Sequence, residues 1–282
     1  VSARQHTEVR YRAVVAALRA AGCVFAEDEA GLLMHAAPDP SDLDALLARR
    51  VCGEPLELIL GWAEFCGIRI HVESGVFVPR RRTEHLARQA CTYLHAGSIM
   101  LELCCGTGAI GAFAQSTVDG IELYAVDVDP AAVHCARRNL RPDSRVLVGD
   151  LYDPLPPSLR GRIDVIVANA PYVPSGSIRL LPPEARLHEP RAALDGGVDG
   201  TSIQRRVAAA ASQWLAPGGH LLVETSSQQR RHTLRSLVDG GLSAHSTYLA
   251  DTESTVAVGV KPAVKNSSRS RSEAPHTEAG LP

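Results

Sequence analysis

The sequence predicts an α/β fold, a doubly wound and mainly parallel sheet preceded by a small helical domain. Three observations carry this. From Thr83 onward, short apolar runs alternate with helix-patterned stretches, the order of a parallel sheet with crossover helices. The first apolar run, "SIMLELCC" (98–105), leads directly into a glycine turn and a helix start, "GTGAIG" (106–111). The residues before Pro55 instead show helical periodicity and no strand alternation.

Taken in order, "TEVRYRAVVAALRAA" (7–21) places Val14, Val15, Leu18 and Ala21 on one helical face. A second helix is expected near Ala26–Ala36, and a third after Ser41, read as the N-cap of "SDLDALLARRV". Pro55 and Gly61 bracket "PLELILG", and "CGIRIHVESGVFVP" (66–79) alternates like a hairpin with its turn at Ser74–Gly75. Then "SIMLELCC", "IELYAVDVD", "SRVLVGD", "IDVIVANA" and "HLLVET" read as five strands. Between the second and third, "PAAVHCARRNL" is a helix with Pro130 in its first turn. "SIQRRVAAAASQWL" is a helix ended by Pro217–Gly218–Gly219, and two final strands are expected at Ala244–Leu249 and Val256–Val260. The domain reading is a helical domain over 1–66, a hairpin linker over 67–82, the sheet domain over 83–260, and a tail over 261–282 that lacks core formers and is expected to be disordered.

Composition narrows the function. Of 282 residues 45 % are hydrophobic, and 29 basic residues face 31 acidic ones, so no basic surface for nucleic acid is expected. Aromatics are 4 %, too few to furnish base-stacking platforms. No apolar run approaches the roughly 20 residues of a membrane span, and Val1–Arg12 is polar and charged, unlike a secretory signal. Seven cysteines (Cys23, Cys52, Cys66, Cys91, Cys104, Cys105 and Cys135) include no CxxC, and the eleven histidines no HExxH. No metal site is expected, and reduced thiols point to a cytoplasmic protein.

In a doubly wound sheet, ligands sit beyond the carboxyl ends of the strands where the strand order reverses. With the usual winding, the first and fourth strands of the sheet domain are neighbours there. One ends in "LELCCGTGAIG", the other in "VANAPYVP", so two unusual turns face one crevice. Gly106 and Gly108 allow a tight turn and close backbone approach. Gly106, Gly108 and Gly111 fit GxGxxG, but Glu102 precedes them, and a carboxylate there suits a cation better than a diphosphate. Asp127, ending the second strand, can accept from ribose hydroxyls, and Asp150, ending the third, can read an adenine edge. The ensemble fits a positively charged adenosine ligand, S-adenosylmethionine.

Asn169-Ala170-Pro171-Tyr172 resembles the Asn-Pro-Pro-Tyr signature of the bacterial release factor glutamine methyltransferases, the protein N5-glutamine group of seven-strand class I methyltransferases. "GEPLELILGWAEFCG" (53–67), "VFVPRRRTE" (76–84) and "PPEARLHEPRAALDGGVDG" (182–200) extend the resemblance over roughly residues 50 to 230. It implies a cofactor site lined by Glu102, Cys104, Gly106, Gly108, Asp127, Asp150, Leu151 and Asn169, with Pro79–Thr83 closing over it. Asn169, Ala170, Pro171 and Tyr172 are implied to hold the glutamine amide, with Asn169, Pro171 and Tyr172 as the catalytic set. The implied partner is a peptide chain release factor, recognised by the helical domain. Three positions depart from the family pattern: Ala170 stands for its first proline, Glu102 for its aspartate and Cys104 for its first motif glycine. Cys104 is therefore expected to avoid positive φ, while Arg80, Arg81 and Arg82 read equally well as a solvated charged turn. The competing readings are an adenine-N6 nucleic-acid methyltransferase, which shares the signature, a paralogue acting on another protein or a small molecule, a cofactor-binding module without catalysis, and a dinucleotide oxidoreductase.

Overall fold

The structure, a computed structural model, describes residues 3–37 and 39–263. Four helices open the chain: α1 (Ala3–Ala20), α2 (Ala26–Ala36), α3 (Pro40–Val51) and α4 (Leu56–Leu60). Val14, Val15 and Leu18 of α1 are buried with Ala30 and Leu33 of α2, Leu43 of α3 and Ile59 of α4, as an apolar helical stripe requires. Ala21 does not share that face. It is exposed just beyond α1, where Gly22 at φ 89° turns the chain. Ser41 is not the cap either: α3 starts at Pro40 with Asp39 as N-cap, because proline's fixed φ suits a helix's first position.

A hairpin follows, β1 (Trp62–Phe65) against β2 (Ile68–His71). Its turn is Cys66–Gly67, not Ser74–Gly75. A two-residue type I′ turn needs positive φ at both positions, and Cys66 (52°) and Gly67 (81°) supply it, whereas only Gly75 does in the later pair. The alternation beyond Gly75 serves packing instead of a ladder. Val76 is buried with Ala132 and Cys135, and Val78 with Ala63 and Val72.

Next come α5 (Glu84–Cys91), β3 (Ile99–Leu103), α6 (Ala109–Thr117), β4 (Glu122–Asp127), α7 (Pro130–Asn139), β5 (Arg145–Val148) and β6 (Ile163–Ala168). Two short helices, α8 (Pro183–His188) and α9 (Arg191–Leu194), lead to α10 (Ser202–Trp214), β7 (Leu215–Thr225), α11 (Arg230–Asp239), β8 (Ser243–Leu249) and β9 (Ser254–Val260). The seven-stranded sheet has the order β5-β4-β3-β6-β7-β9-β8. Its first five strands are parallel, and β9 is antiparallel to both neighbours. Alternate residues feed two core layers: Met100, Leu123, Val165 and Val167 on one face, Leu101, Leu103, Val126 and Ile166 on the other.

Asn139, ending α7, ties the hairpin to this sheet. Its Oδ1 accepts from the His71 amide at 2.8 Å and its Nδ2 donates to the His71 carbonyl at 2.9 Å. Pro217–Gly218–Gly219 lies inside β7 rather than between helix and strand, beside a register shift against β6. A Cβ at Gly219 would stand 2.9 Å from the Ile163 carbonyl oxygen, so glycine is required for that approach. Lys261, where the expected tail begins, is still tied to the sheet: its amide donates to the Gly219 carbonyl at 2.9 Å and its Nζ to the Leu215 carbonyl at 2.7 Å. From residue 264 onward the tail expectation lies outside the described residues.

Candidate active site

The strand order reverses between β3 and β6, and a cavity of about 580 Å³ opens beyond their carboxyl ends. It is within the range that holds a cofactor with part of a substrate. Of the residues singled out in the sequence, Glu102, Cys104, Gly106, Asp127, Asp150, Leu151, Asn169, Ala170, Pro171 and Tyr172 all line it. So do Pro79, Arg80, Arg82 and Thr83. Gly108 is not on its wall.

The three glycines after β3 do different work. Gly106, at φ 53°, has nothing within 4 Å of where a Cβ would be, so its open side faces the cavity. A Cβ on Gly108 would meet Ala136 and Leu140 at 3.2 Å, and one on Gly111 would meet Glu102 Oε2 at 2.7 Å. Those two permit α6 to pack against α7 and β3. Cys104 departs from expectation, since it sits at φ 53°. The left-handed region costs a residue with a Cβ about 1–2 kcal/mol. Cys104→Gly removes that cost but gains unfolded-chain entropy worth about 0.4–1 kcal/mol. It also removes a side chain packed against the core, worth about 1 kcal/mol. The variant is therefore expected within about 1 kcal/mol of neutral, as a nearly unchanged urea midpoint at constant m would show. Burial pushes the Cys104 and Cys105 thiols well up, with Asp127 adding to both, so neither is poised as a nucleophile.

Asp127 ends β4 with both oxygens anchored. Oδ2 accepts from the Gly106 amide at 2.9 Å and Oδ1 from the Asp129 amide at 3.0 Å. Burial raises its carboxyl and these amides oppose the rise. Each oxygen keeps a lone pair for a further donor. Asp150 is held by Arg206 at 2.7 Å, and Leu151 beside it turns at φ 51°. Glu102 is 2 % exposed, and its Oε2 accepts from the Gly111 amide at 2.9 Å. Burial pushes its pKa up to about 8, with Gly111 and Ile110 amides opposing. Below about pH 8 it is therefore largely neutral. A cation in the cavity favours the carboxylate, so its affinity rises with pH up to that value and levels off above it, by up to about tenfold per unit. Calorimetry of S-adenosylmethionine binding across this range should show the limb, and Glu102→Gln should flatten it.

Beyond β6 the backbone of Asn169–Val173 is stitched to the segment 189–200. The Val173 amide donates to the Leu194 carbonyl at 3.0 Å, and the Gly196 amide to the Val173 carbonyl at 2.9 Å. Gln229 Nε2 donates to the Tyr172 carbonyl at 2.9 Å. A Cβ on Gly200 would lie 2.4 Å from that carbonyl oxygen, which is why a glycine follows there. Asn169 Nδ2 donates to Thr83 Oγ1 at 3.2 Å. Tyr172 donates its hydroxyl to Glu224 Oε1 at 3.1 Å, and the Arg82 guanidinium lies 5.7 Å from its ring centre.

Two of the three arginines are partly buried and paired. Arg80 pairs with the buried Glu189 at 2.5 Å, and Arg82 with the buried Glu224 at 3.2 Å; Arg81 alone is exposed. Glu189 also accepts from the Val78 amide at 3.3 Å, so the Pro79–Thr83 turn is latched to both sides of the cavity mouth. Sequence reasoning named neither Glu189 nor Glu224. The second carried a signal: an acid closing the otherwise apolar strand "HLLVET" has no reason to be there without a partner. Among the described residues, no cluster of His, Cys, Asp or Glu could hold a metal ion, and no helix is long and apolar enough to cross a membrane.

The family described as "Methyltransferase small domain" matches residues 68–184. A protein of Geobacter sulfurreducens named release factor glutamine methyltransferase is 38 % identical over 202 residues, 70 % of this chain and 70 % of that protein. The chain belongs to the release factor glutamine methyltransferase family. It is also 36 % identical, over 67 % of its length and 71 % of the other, to the 4-amino-L-phenylalanine/4-methylamino-L-phenylalanine methyltransferase of Streptomyces pristinaespiralis. The T. thermophilus 16S rRNA N2 G1207 methyltransferase, solved with AdoMet and guanosine, shares the fold at TM-score 0.52 and 20 % identity, covering 71 % of this chain and 49 % of that one. The cofactor of this family member is S-adenosylmethionine. The cavity fits it, with the open face of Gly106 and the free lone pairs of Asp127 beside a buried acid, Glu102, that a sulfonium or ammonium would ionise.

Proposed function

We propose that this chain is a protein-(glutamine-N5) methyltransferase acting on a peptide chain release factor in the cytoplasm. The observation that carries the reading is the Asn169–Tyr172 turn, held at the end of β6 in the same cavity as the Asp127–Gly106 anchor at the ends of β4 and β3. When bound, the cofactor supplies a sulfonium-activated methyl group. The chain's own task is to present a poor nucleophile to it. A carboxamide nitrogen has its lone pair delocalised into the carbonyl, so alignment is the main lever, worth several kcal/mol. In this reading Asn169 Oδ1 and the Ala170 carbonyl accept the two N–H groups of the glutamine amide, and Pro171 keeps Ala170 extended. The Tyr172 ring, steadied by Glu224 and Arg82, packs on the amide plane. The nitrogen would take the methyl group as the methyl's bond to sulfur breaks, leaving a neutral thioether, and would then release to water the proton that alkylation has made acidic. Ala170 in place of proline leaves the carbonyl acceptor where it is needed.

The cofactor roles read from Cys104, Asp150 and Leu151 are part of the same proposal, as is recognition of the protein partner by the helical domain (residues 1–66). The Arg50–Glu184 pair supports the latter: it joins α3 to α8 at 2.5 Å, and Glu184 lines the cavity. A second reading is favoured by the Streptomyces relative, which is named for arylamine substrates. The test compares acceptors at equal labelled S-adenosylmethionine: a release factor, 4-amino-L-phenylalanine, and adenine-containing DNA. Methyl on a release factor glutamine nitrogen, located by mass spectrometry, supports the proposal. Label on the arylamine or on adenine alone overturns it.

A further inference from the structure

We propose that Thr83 and Glu224 are positioning residues that turn the Asn169 carboxamide so that its oxygen, not its nitrogen, faces the methyl acceptor. This rests on the reading of Asn169 as the residue that holds the acceptor. The juxtaposition follows from the topology. β6 and β7 are parallel neighbours with Ala168 opposite Val223, so Asn169 and Glu224 come next on adjacent strands. Thr83 is brought between them by the turn before α5, and it is 4 % exposed.

A carboxamide presents a donor at one end and an acceptor at the other, and the two are nearly the same shape. Nothing in Asn169 itself decides which end faces the acceptor. Glu224 does. It is fully buried, with Arg82 3.2 Å away and the Tyr172 hydroxyl donating to Oε1 at 3.1 Å. Burial raises its carboxyl pKa, and the Thr83 hydroxyl, Arg82 and Tyr172 oppose that rise; we take it as the carboxylate of the Arg82 ion pair, with the Tyr172 hydroxyl donating to it. A carboxylate only accepts. Its Oε2 is buried without a hydrogen-bond partner, and we assign the Thr83 proton to that free acceptor. With that proton committed, Thr83 Oγ1 can meet Asn169 only as an acceptor, and it takes Nδ2 at 3.2 Å. In the flipped amide two oxygens would face each other. Oδ1 is therefore directed away from Thr83, ready for an N–H donor. An acceptor-only pair, Asn169 Oδ1 with the Ala170 carbonyl, selects an attacking nitrogen that carries two hydrogens.

The chain of three is tested with Thr83→Ser, Thr83→Val, Glu224→Gln and the double variant Thr83→Val/Glu224→Gln. Activity is read on whichever acceptor the wild type methylates, so failure of the glutamine assignment shows in the wild type and failure of this inference in the variants. Thr83→Ser keeps the hydroxyl and is expected within threefold of wild-type kcat. Thr83→Val removes it and is expected to lower kcat by roughly ten- to a hundredfold, with the calorimetric Kd for S-adenosylmethionine within threefold and Tm unchanged. Glu224→Gln can donate as well as accept, so it also lowers kcat, and the double variant is no worse than the poorer single one. The inference is overturned by full kcat in Thr83→Val, by equal losses in Thr83→Val and Thr83→Ser, or by losses that multiply in the double variant. If Glu224→Gln fails to fold, the contrast between the two Thr83 variants decides.

Discussion

Asn169→Ala is expected to cut turnover by at least about a hundredfold while leaving S-adenosylmethionine affinity within about threefold, since misplacing a reacting group by an ångström costs that much. The asymmetry follows from where the contacts lie. Among the described residues the Asn169 side chain hydrogen-bonds only to Thr83, whereas the end of the cavity proposed for the cofactor is organised by Asp127 and the Gly106 turn. Single-turnover methyl transfer together with calorimetry separates the two. A parallel fall in affinity and turnover would mean that Asn169 belongs to the cofactor site instead. Ala170→Pro is the useful control: the backbone carbonyl stays and the turn stiffens, so activity should be retained.

The largest expected effect on stability comes from Arg50. Its Nε donates to Glu29 Oε2 at 2.6 Å, its Nη2 to Glu29 Oε1 at 3.2 Å, and its Nη1 to Glu184 Oε1 at 2.5 Å and the Glu54 carbonyl at 3.1 Å. Both Arg50 and Glu29 are buried. Removing one partner of such a pair leaves a charge without compensation, typically a loss of about 3–5 kcal/mol. Arg50→Ala should therefore lower the unfolding free energy by that amount, seen as a lower urea midpoint at constant m by far-UV circular dichroism. Arg50→Lys should recover only part, because an ammonium cannot bridge both Glu29 oxygens and Glu184. Replacing Arg50 and Glu29 together by Met and Leu should restore much of the stability. A loss below about 1 kcal/mol in Arg50→Ala would show the network to be a surface contact.

Much of the fold was legible because its causes are local. α2 covers the expected residues, β3, β4, β5 and β6 fall within the apolar runs read as strands, and β9 contains the expected Val256–Val260 and starts two residues earlier. Period and burial make such runs self-announcing. The errors arose where one residue's backbone conformation decided the outcome. Cys66 and Cys104 adopt positive φ, and nothing in a cysteine's chemistry announces that. The hairpin turn was consequently read eight residues too late, Ser74–Gly75 for Cys66–Gly67. The candidate site was legible as two turns, "CCGTG" and "NAPY", because glycines, an asparagine and a proline after buried strands are conspicuous. Its supports were not. Arg80 and Arg82 read equally well as a solvated turn or as part of the closing segment, because their partners lie far along the chain.

The sequence by itself therefore determined most of the sheet strands, the helices of the opening region, and which strand ends carry unusual turns. Each of those depends on residue type and near-neighbour spacing. Tertiary structure alone decided what the charged and polar side chains do: that Glu224 and Glu189 are buried, that Arg82 steadies Tyr172, and that Thr83 receives the Asn169 amide. A buried charge is tolerable only with a partner, and that partner is supplied by the strand order, which sets β6 beside β7 and brings the turn before α5 across both.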